Sequence, residues 1–134
     1  MNPKISLPDN HSDERGFIQI LLHEHKGSIV VIDTVPHVER ANHYHKDDFH
    51  YSYIISGEIV YYERPVGSTD LPKRYFFKKG DLFYTGPMIE HCMYFEVPTV
   101  FIAMGGKTRT QKEYEDDLVR LPSLHDEFKL RVSS

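Results

Sequence analysis

The chain has 134 residues and a formal net charge of −4, from 16 Lys or Arg and 20 Asp or Glu. Because acidic and basic residues are interspersed, there is no basic stretch typical of nucleic-acid binding, and no apolar run is long enough to cross a membrane. The lone Cys92 excludes an intramolecular disulfide framework and is typical of a reducing compartment. We therefore expect one domain over residues 1–134, in the cytoplasm, without a signal peptide.

Most of the chain is predicted to form short β-strands. The segments are rich in β-branched and aromatic residues, with Gly or Pro at the breaks, and Gly57 supplies a tight turn. Short strands at regular spacing favour an all-β sandwich or barrel. The predicted strands are 16–23, 28–35, 42–45, 49–55, 58–63, 74–77, 81–84, 92–95 and 99–104.

Only the tail is predicted to be helical, over residues 110–120. Thr110 is a candidate N-cap, and Glu113 three residues later completes a capping-box pattern. The acidic residues 113–117 are interpreted as a solvated helix face.

Four histidines in two clusters are the most informative feature of the chain. His43 and His45 are two positions apart, so on a strand their side chains point to the same face. His50 and His91 join them if the sheet curls into a small barrel. Two imidazoles on one face can bind a metal or act as an acid/base pair, and the spacing leaves both interpretations open.

Both clusters resemble the motifs of cupins. The first is similar to H-x-H-x(3,4)-E-x6-G, with His43 and His45 in register and His50 where cupins usually carry Glu. The second is similar to G-x5-P-x-G-x2-H, with Gly80 and His91 in register. The resemblance implies an all-β cupin jelly roll, or double-stranded β-helix, with its site inside the barrel and a short C-terminal helix.

Four further elements resemble the cupins that act on nucleotide sugars, the dTDP-4-dehydrorhamnose 3,5-epimerases and dTDP-4-dehydro-6-deoxyglucose 3,4-ketoisomerases. They are a D-x-R-G opening at 13–16, H-x-H-K at 43–46, Y-x-G-P-x-x-x-H at 84–91 and an acidic, aromatic tail at 114–117. His50 stands where the ketoisomerases place Gln. The resemblance implies an isomerase or epimerase of a nucleotide-linked 4-keto-6-deoxy sugar, serving polysaccharide biosynthesis, and a homodimer, with exchange of N-terminal strands as one arrangement.

Such a reaction begins by removing a proton next to a carbonyl group. It needs a base poised near neutral pH and a group that stabilises the enolate oxygen. Histidine has a suitable pKa, so His45 is predicted as the base and His43 as its partner or an electrostatic stabiliser. The predicted catalytic residues are His43, His45, Tyr84 and His91, with Tyr51 and Tyr53 as alternative acids.

Substrate binding is assigned to four other residues. The guanidinium of Arg15 suits bidentate contact with a pyrophosphate. Arg40 and Lys46 are predicted to bind phosphate or to stabilise an oxyanion. Tyr53 is the fourth predicted substrate-binding residue.

Two alternative functions stay open beside this main one, which requires no cofactor. In a metal-dependent cupin, a dioxygenase or a metal-assisted isomerase, His43, His45, His50 and His91 would bind Zn, Fe, Mn or Ni. In a non-catalytic cupin, the barrel would bind a sugar or another small molecule. No nucleic-acid or membrane partner is expected.

The remaining histidines match no motif, and we expect them to be solvated: His11, His23, His25, His37 and His125. Cys92, next to His91, is expected to be a small buried residue on the opposite face of its strand, and not a nucleophile.

Overall fold

The computed structural model describes residues 2–8, 10–107 and 110–133 of the chain. Strands dominate them, as the sequence predicts. In chain order the elements are β1 (Asn10–Asp13), β2 (Gly16–Gln19), β3 (Ser28–Thr34), β4 (Val38–His45), β5 (His50–Ser56), β6 (Glu58–Pro65), β7 (Lys73–Lys78), β8 (Leu82–Thr85), β9 (Ile89–Phe95), β10 (Thr99–Gly105), α1 (Gln111–Asp117), β11 (Leu118–Arg120) and α2 (Leu124–Val132).

Two antiparallel sheets face each other and enclose the core. One has the strand order β3-β10-β5-β8, and the other has the order β11-β4-β9-β6-β7. Strands that follow each other in the chain repeatedly change sheet, so each sheet is built from distant parts of the sequence. The core between the sheets is largely aromatic and consists of Ile54, Ile59, Tyr61, Phe77, Phe83, Phe95, Phe101 and Ala103.

A second apolar cluster lies on the outer face of the five-stranded sheet, where α2 covers it. It contains Tyr62, Cys92, Leu124 and Phe128, so the prediction that Cys92 is buried is confirmed. His125, which we expected to be solvated, is also buried there. Its ring stacks on Tyr94 at 4.0 Å, and its Nδ1 is 2.7 Å from the Tyr62 hydroxyl. The sequence could not indicate this burial, because it depends on where α2 packs.

The tail differs from its prediction. The helix ends at Asp117, because residues 118–120 pair with β4 as an edge strand and bury Leu118. The predicted capping box is wrong, since the Thr110 side chain makes no capping hydrogen bond. The second helix, α2, was not predicted separately. It has a true cap at Ser123, whose Oγ accepts from the Asp126 backbone N–H at 3.0 Å.

The N-terminal part also differs. The strand predicted at 16–23 ends at Gln19, and it pairs with β1, which the sequence did not reveal. The β1–β2 hairpin forms a separate two-stranded sheet and exposes Phe17 and Ile18. In the described ranges, neither helix has the length and apolar character needed to cross a membrane.

Candidate active site

A cavity of about 110 Å³ lies between the two sheets. All four motif histidines line it, which is the convergence that the barrel prediction required. His43 and His45 come from β4, His50 from β5 and His91 from β9. The polar lining consists of Arg40, His43, His45, His50, Ser52, Thr85, His91 and Tyr114, and the apolar lining consists of Ile32, Ala41, Met93, Phe101 and Ala103.

A bulge in β4 sets which side chains of this strand face the cavity. Its register against β9 shifts between Ala41 and His43, where Ala41 has φ 71° and Asn42 has φ 54°. On a regular strand, Arg40 would share a face with residues 42 and 44 and not with the histidines. The extra residue changes the alternation, so Arg40, His43 and His45 all line the cavity.

His45 is paired with a buried carboxylate from the far end of the chain. Its Nδ1 lies 3.0 Å from Asp117 Oδ2, and both side chains are almost fully buried. An ionised carboxylate accepts, so Nδ1 carries the proton and Nε2 carries the lone pair. The interpretation of residues 113–117 as a solvated face is therefore wrong at Asp117, which is the main site residue that the sequence analysis missed.

The surroundings keep Asp117 ionised. Burial by itself would raise the pKa of this carboxyl. The backbone N–H groups of Asp47 and Asp48 donate to it at 3.0 and 3.2 Å, and with the His45 imidazole they outweigh burial, so its pKa is lowered. A carboxylate held in this way can stabilise a positive charge that develops on His45.

The other two central histidines are neutral near pH 7. Burial and neighbouring imidazoles lower the pKa of His43 to about 2, and burial lowers that of His91 to about 4. The Nδ1–H of His91 donates to the Ile89 carbonyl at 2.9 Å, which leaves the lone pair on Nε2. The Nδ1 atom of His43 is buried and has no hydrogen-bond partner within the described ranges.

His50 lies at the edge of this group. Its ring centroid is 4.8 Å from that of His45, and its Nε2 is 3.8 Å from Asp48 Oδ2. Asp48 is buried and accepts from the backbone N–H groups of Phe49 and Gly106 at 2.8 and 2.9 Å. The turn that leads into β5 is thereby fixed next to the cavity.

Helix α1 supplies a second residue to the site besides Asp117. Tyr114 lines the cavity, with ring centroids 5.5 Å from His45 and 6.3 Å from His43. Residues three apart on a helix share a face, so one short helix presents both side chains to the histidines. The available signal was the similarity of residues 114–117 to the acidic, aromatic tail of the sugar-nucleotide cupins.

The predicted tyrosines lie elsewhere. On β8, Thr85 faces the cavity, so Tyr84 points to the outer face of its sheet, where its ring is 5.0 Å from that of Tyr51. On β5, Ser52 faces the cavity, so Tyr51 and Tyr53 also point outward. None of the three tyrosines lines the histidine cavity of this chain. Their predicted roles lack support from its geometry.

The predicted basic residues are dispersed. Arg40 lines the cavity, where its Nε donates to Thr34 Oγ1 at 2.7 Å. Lys46 is exposed on a groove next to Asp117. Arg15 lies on the β1–β2 hairpin, where its side chain is 82% exposed and pairs with Asp13 at 2.6 Å. Arg15 is therefore outside the cavity of its own chain.

The histidine cluster also fits a divalent transition metal. The structure brings two groups of ligand atoms together, with one atom from each residue and all atoms of a group within 4.8 Å of one another. The first group is His43, His45 and His91, and the second is His45, Asp48 and His50. Neutral imidazoles suit Zn, Fe, Mn and Ni. The carboxylate on the far nitrogen of His45 is an arrangement that orients metal-binding histidines as well as catalytic ones.

The fold matches solved structures of sugar-nucleotide cupins. A 3,4-ketoisomerase from Helicobacter canadensis aligns with 94% of this chain and 93% of its own, at TM-score 0.70 and 17% identity. ChmJ, a 3'-monoepimerase from Streptomyces bikiniensis solved with dTDP, aligns with 91% of this chain and 70% of its own, at TM-score 0.73 and 11% identity.

The capsular polysaccharide assembling protein CapF from Staphylococcus aureus also matches, at TM-score 0.66 and 19% identity over 88% of this chain. The chain spans about a third of the length of CapF, since it covers 35% of that protein. No family model matches the sequence, and no curated protein matches it. The predicted cupin jelly roll, and its likeness to the sugar-nucleotide cupins, are confirmed at the level of the fold.

Proposed function

We propose that this chain is an isomerase or epimerase that acts on a nucleotide-linked 4-keto-6-deoxy sugar by histidine acid/base chemistry. The observation that supports it most is the His45–Asp117 pair inside a small cavity. Its fold is that of a 3,4-ketoisomerase and a 3'-monoepimerase, and the latter was solved with dTDP. Fold and proton-transfer pair together favour this activity over simple binding.

In this proposal His45 is the base. Its Nε2 lone pair takes the proton from the carbon next to the carbonyl, and Asp117 stabilises the imidazolium that forms. His43 and His91 are neutral and do not act as cations, and the Nε2 lone pair of His91 accepts a hydrogen bond from a substrate hydroxyl group. Tyr114 replaces Tyr84 as the candidate acid, because its ring lines the cavity.

Arg40 is the best-placed cation for the enolate oxygen or a phosphate, since it lines the same cavity as the histidines. A guanidinium keeps its charge at neutral pH and can stabilise an oxyanion. Lys46, on the adjacent groove, is proposed to contact the nucleotide part outside the cavity.

We also propose a homodimer, in which the single cupin domain exchanges its N-terminal hairpin. A short two-stranded hairpin is marginally stable alone, yet β2 exposes Phe17 and Ile18 by 67% and 66%. Edge strand β3 exposes Ile29 and Val31 by 63% and 67%, which offers a matching apolar surface. In this arrangement Arg15 would lie at the cavity of the second copy.

Light scattering of the purified chain tests the dimer, and a monomer would overturn it.

Turnover of a panel of dTDP- and UDP-linked 4-keto sugars, followed by NMR in D₂O, tests the activity. We expect a moved keto group or an inverted centre, with deuterium at the reacting carbon. His45→Asn should abolish this while nucleotide binding persists, and His23→Asn, at an exposed histidine, should change neither. Binding without any turnover in the wild-type chain would favour a sugar-binding cupin instead.

A metal-dependent cupin is the second candidate. It is favoured by the buried, partnerless Nδ1 of His43 and by the His43–His45–His91 ligand group. A bound metal would supply Lewis-acid polarisation of a substrate oxygen. Mass spectrometry of metals in untagged protein tests this candidate. About one equivalent of one metal, lost in His91→Gln together with activity, would place metal catalysis above simple acid/base chemistry. Activity retained in metal-free protein would exclude an obligatory metal.

A further inference from the structure

The bulge that turns β4 toward the cavity is conformationally costly. Ala41 and Asn42 both adopt positive φ, directly before His43. The left-handed region is unfavourable for an ordinary residue because Cβ comes too close to the following carbonyl oxygen, and Asn tolerates it better than most residues. Such a conformation persists only when the surrounding structure enforces it.

The side chain of Asn42 supplies that enforcement. Its Nδ2 donates to Glu39 Oε1 at 3.0 Å, and its Oδ1 accepts from the Leu124 backbone N–H at 3.0 Å. Its own carbonyl accepts from the Leu121 backbone N–H at 2.8 Å. Both ends of the amide and the adjacent carbonyl are thus fixed to β4 itself and to the segment that leads into α2.

His43 depends on this bulge more than the other central histidines do. The ring of His45 is oriented by Asp117, and that of His91 by the Ile89 carbonyl. By contrast, the buried Nδ1 of His43 has no partner among the residues that the structure describes. The direction of its ring therefore depends on the backbone that carries it and on packing against the rings of His45 and His91, whose centroids are each 4.8 Å away.

We propose that Asn42 is a positioning residue, which holds the β4 bulge so that His43 faces the cavity together with Arg40 and His45. Its effect on turnover rests on the proposed isomerase or epimerase function, whereas its effect on the His43 ring does not. Without the bulge, regular alternation would turn Arg40 away from the face that carries the histidines.

The test compares Asn42→Gly with Asn42→Ala. Glycine removes the side-chain amide but still adopts positive φ readily. Alanine removes the amide and also disfavours positive φ. The control is Ser123→Ala, which removes the α2 cap and one hydrogen bond to Glu39, at 2.6 Å, but keeps both groups that bind the Asn42 side chain, Glu39 Oε1 and the Leu124 N–H. The ring signals of His43 in ¹⁵N-histidine-labelled protein are measured together with kcat and KM.

We expect both Asn42 variants to shift the ring signals of His43 and to lower kcat by about 10- to 100-fold, with little change in KM. Ser123→Ala should lower only the melting temperature. Wild-type ring signals and kcat in Asn42→Gly would overturn the proposal, and so would equal changes in Ser123→Ala. If the wild-type chain turns over no sugar, the proposed function fails and the ring signals alone decide. If Asn42→Gly does not fold, Asn42→Asp, which keeps the acceptor for Leu124, replaces it.

Discussion

His45 and Asp117 are joined by a 3.0 Å hydrogen bond although 72 positions separate them in the chain. Asp117→Asn would allow the new amide to donate to Nδ1, which places the imidazole proton on Nε2 and removes the base from the cavity. We expect kcat to fall by about 10²- to 10⁴-fold with KM nearly unchanged, in line with loss of the correct tautomer in other catalytic pairs. Steady-state kinetics measure this change. Asp116→Asn, at the exposed neighbour, is the control, and equal losses in the two variants would show that only the local charge matters.

Two tyrosines compete for the role of general acid. Tyr114 lines the cavity, whereas Tyr84 was indicated by the sequence motif. Tyr114→Phe removes only a hydroxyl, and we expect it to lower kcat by about 100-fold, the usual contribution of a general acid. Tyr84→Phe should leave kcat within about twofold, because its ring lies on the outer face with Tyr51. The opposite ranking would restore Tyr84 as the acid and place the reacting atoms outside the cavity.

The buried neutral histidines predict that the protein loses stability in acid. The pKa of His91 is lowered to about 4 and that of His43 to about 2, whereas the unfolded chain has the ordinary value of 6.5. As the pH falls below 6.5, these two histidines bind protons in the unfolded chain but stay unprotonated in the folded chain. The free energy of unfolding therefore falls, by up to about 1.4 kcal/mol per pH unit for each histidine.

Above pH 6.5 these two groups add no pH dependence, because they are neutral in both states. Urea unfolding at pH 7.5, 6 and 5 measures the loss, and His91→Gln should show a shallower fall than the wild-type chain between pH 6.5 and 4. An unchanged slope in that variant would mean that folding does not lower the pKa of His91.

Two glycines with nearly the same φ predict unequal losses of stability on substitution by alanine. Gly57 and Gly67 have φ of 88° and 89°, so alanine is strained at either position by about 1–2 kcal/mol. A methyl group on Gly57 would in addition clash with Thr99 Oγ1 and lie 2.5 Å from the Pro98 carbonyl oxygen, whereas Gly67 has nothing within 4 Å. We expect Gly57→Ala to reduce the free energy of unfolding by at least about 2 kcal/mol more than Gly67→Ala. Equal losses in urea unfolding would show that the backbone around Gly57 yields.

The sequence predicted the parts of this site that depend on local periodicity. His43 and His45 share a face because a strand alternates, and the cupin motifs placed His50 and His91 in the same barrel. The turn predicted at Gly57 from the glycine between two strand-like segments is also confirmed, and the structure adds that a side chain there would clash with Thr99.

The remaining site residues depend on packing, which periodicity does not encode. Asp116 and Asp117 are equivalent in sequence terms, and only the docking of α1 and β11 on β4 decides which one is buried. Tyr84 lies in a matching motif, yet in the register of β8 against β5 it is the side chain of Thr85 that lines the cavity. The bulge at Ala41 and Asn42 had no visible signal, because neither residue is glycine.

The position of Asp117 beyond every strand of the barrel except β11 has a consequence for synthesis. A chain made from its N-terminus completes all four motif histidines by residue 91, whereas their carboxylate partner follows 26 residues later, from the difference between 117 and 91. The four-stranded sheet that carries His50 is complete only when β10 pairs between β3 and β5, so the carboxylate enters after the last strand of that sheet. Under the proposed function, a chain that ends before Asp117 would contain every motif histidine and still lack the proton-transfer pair.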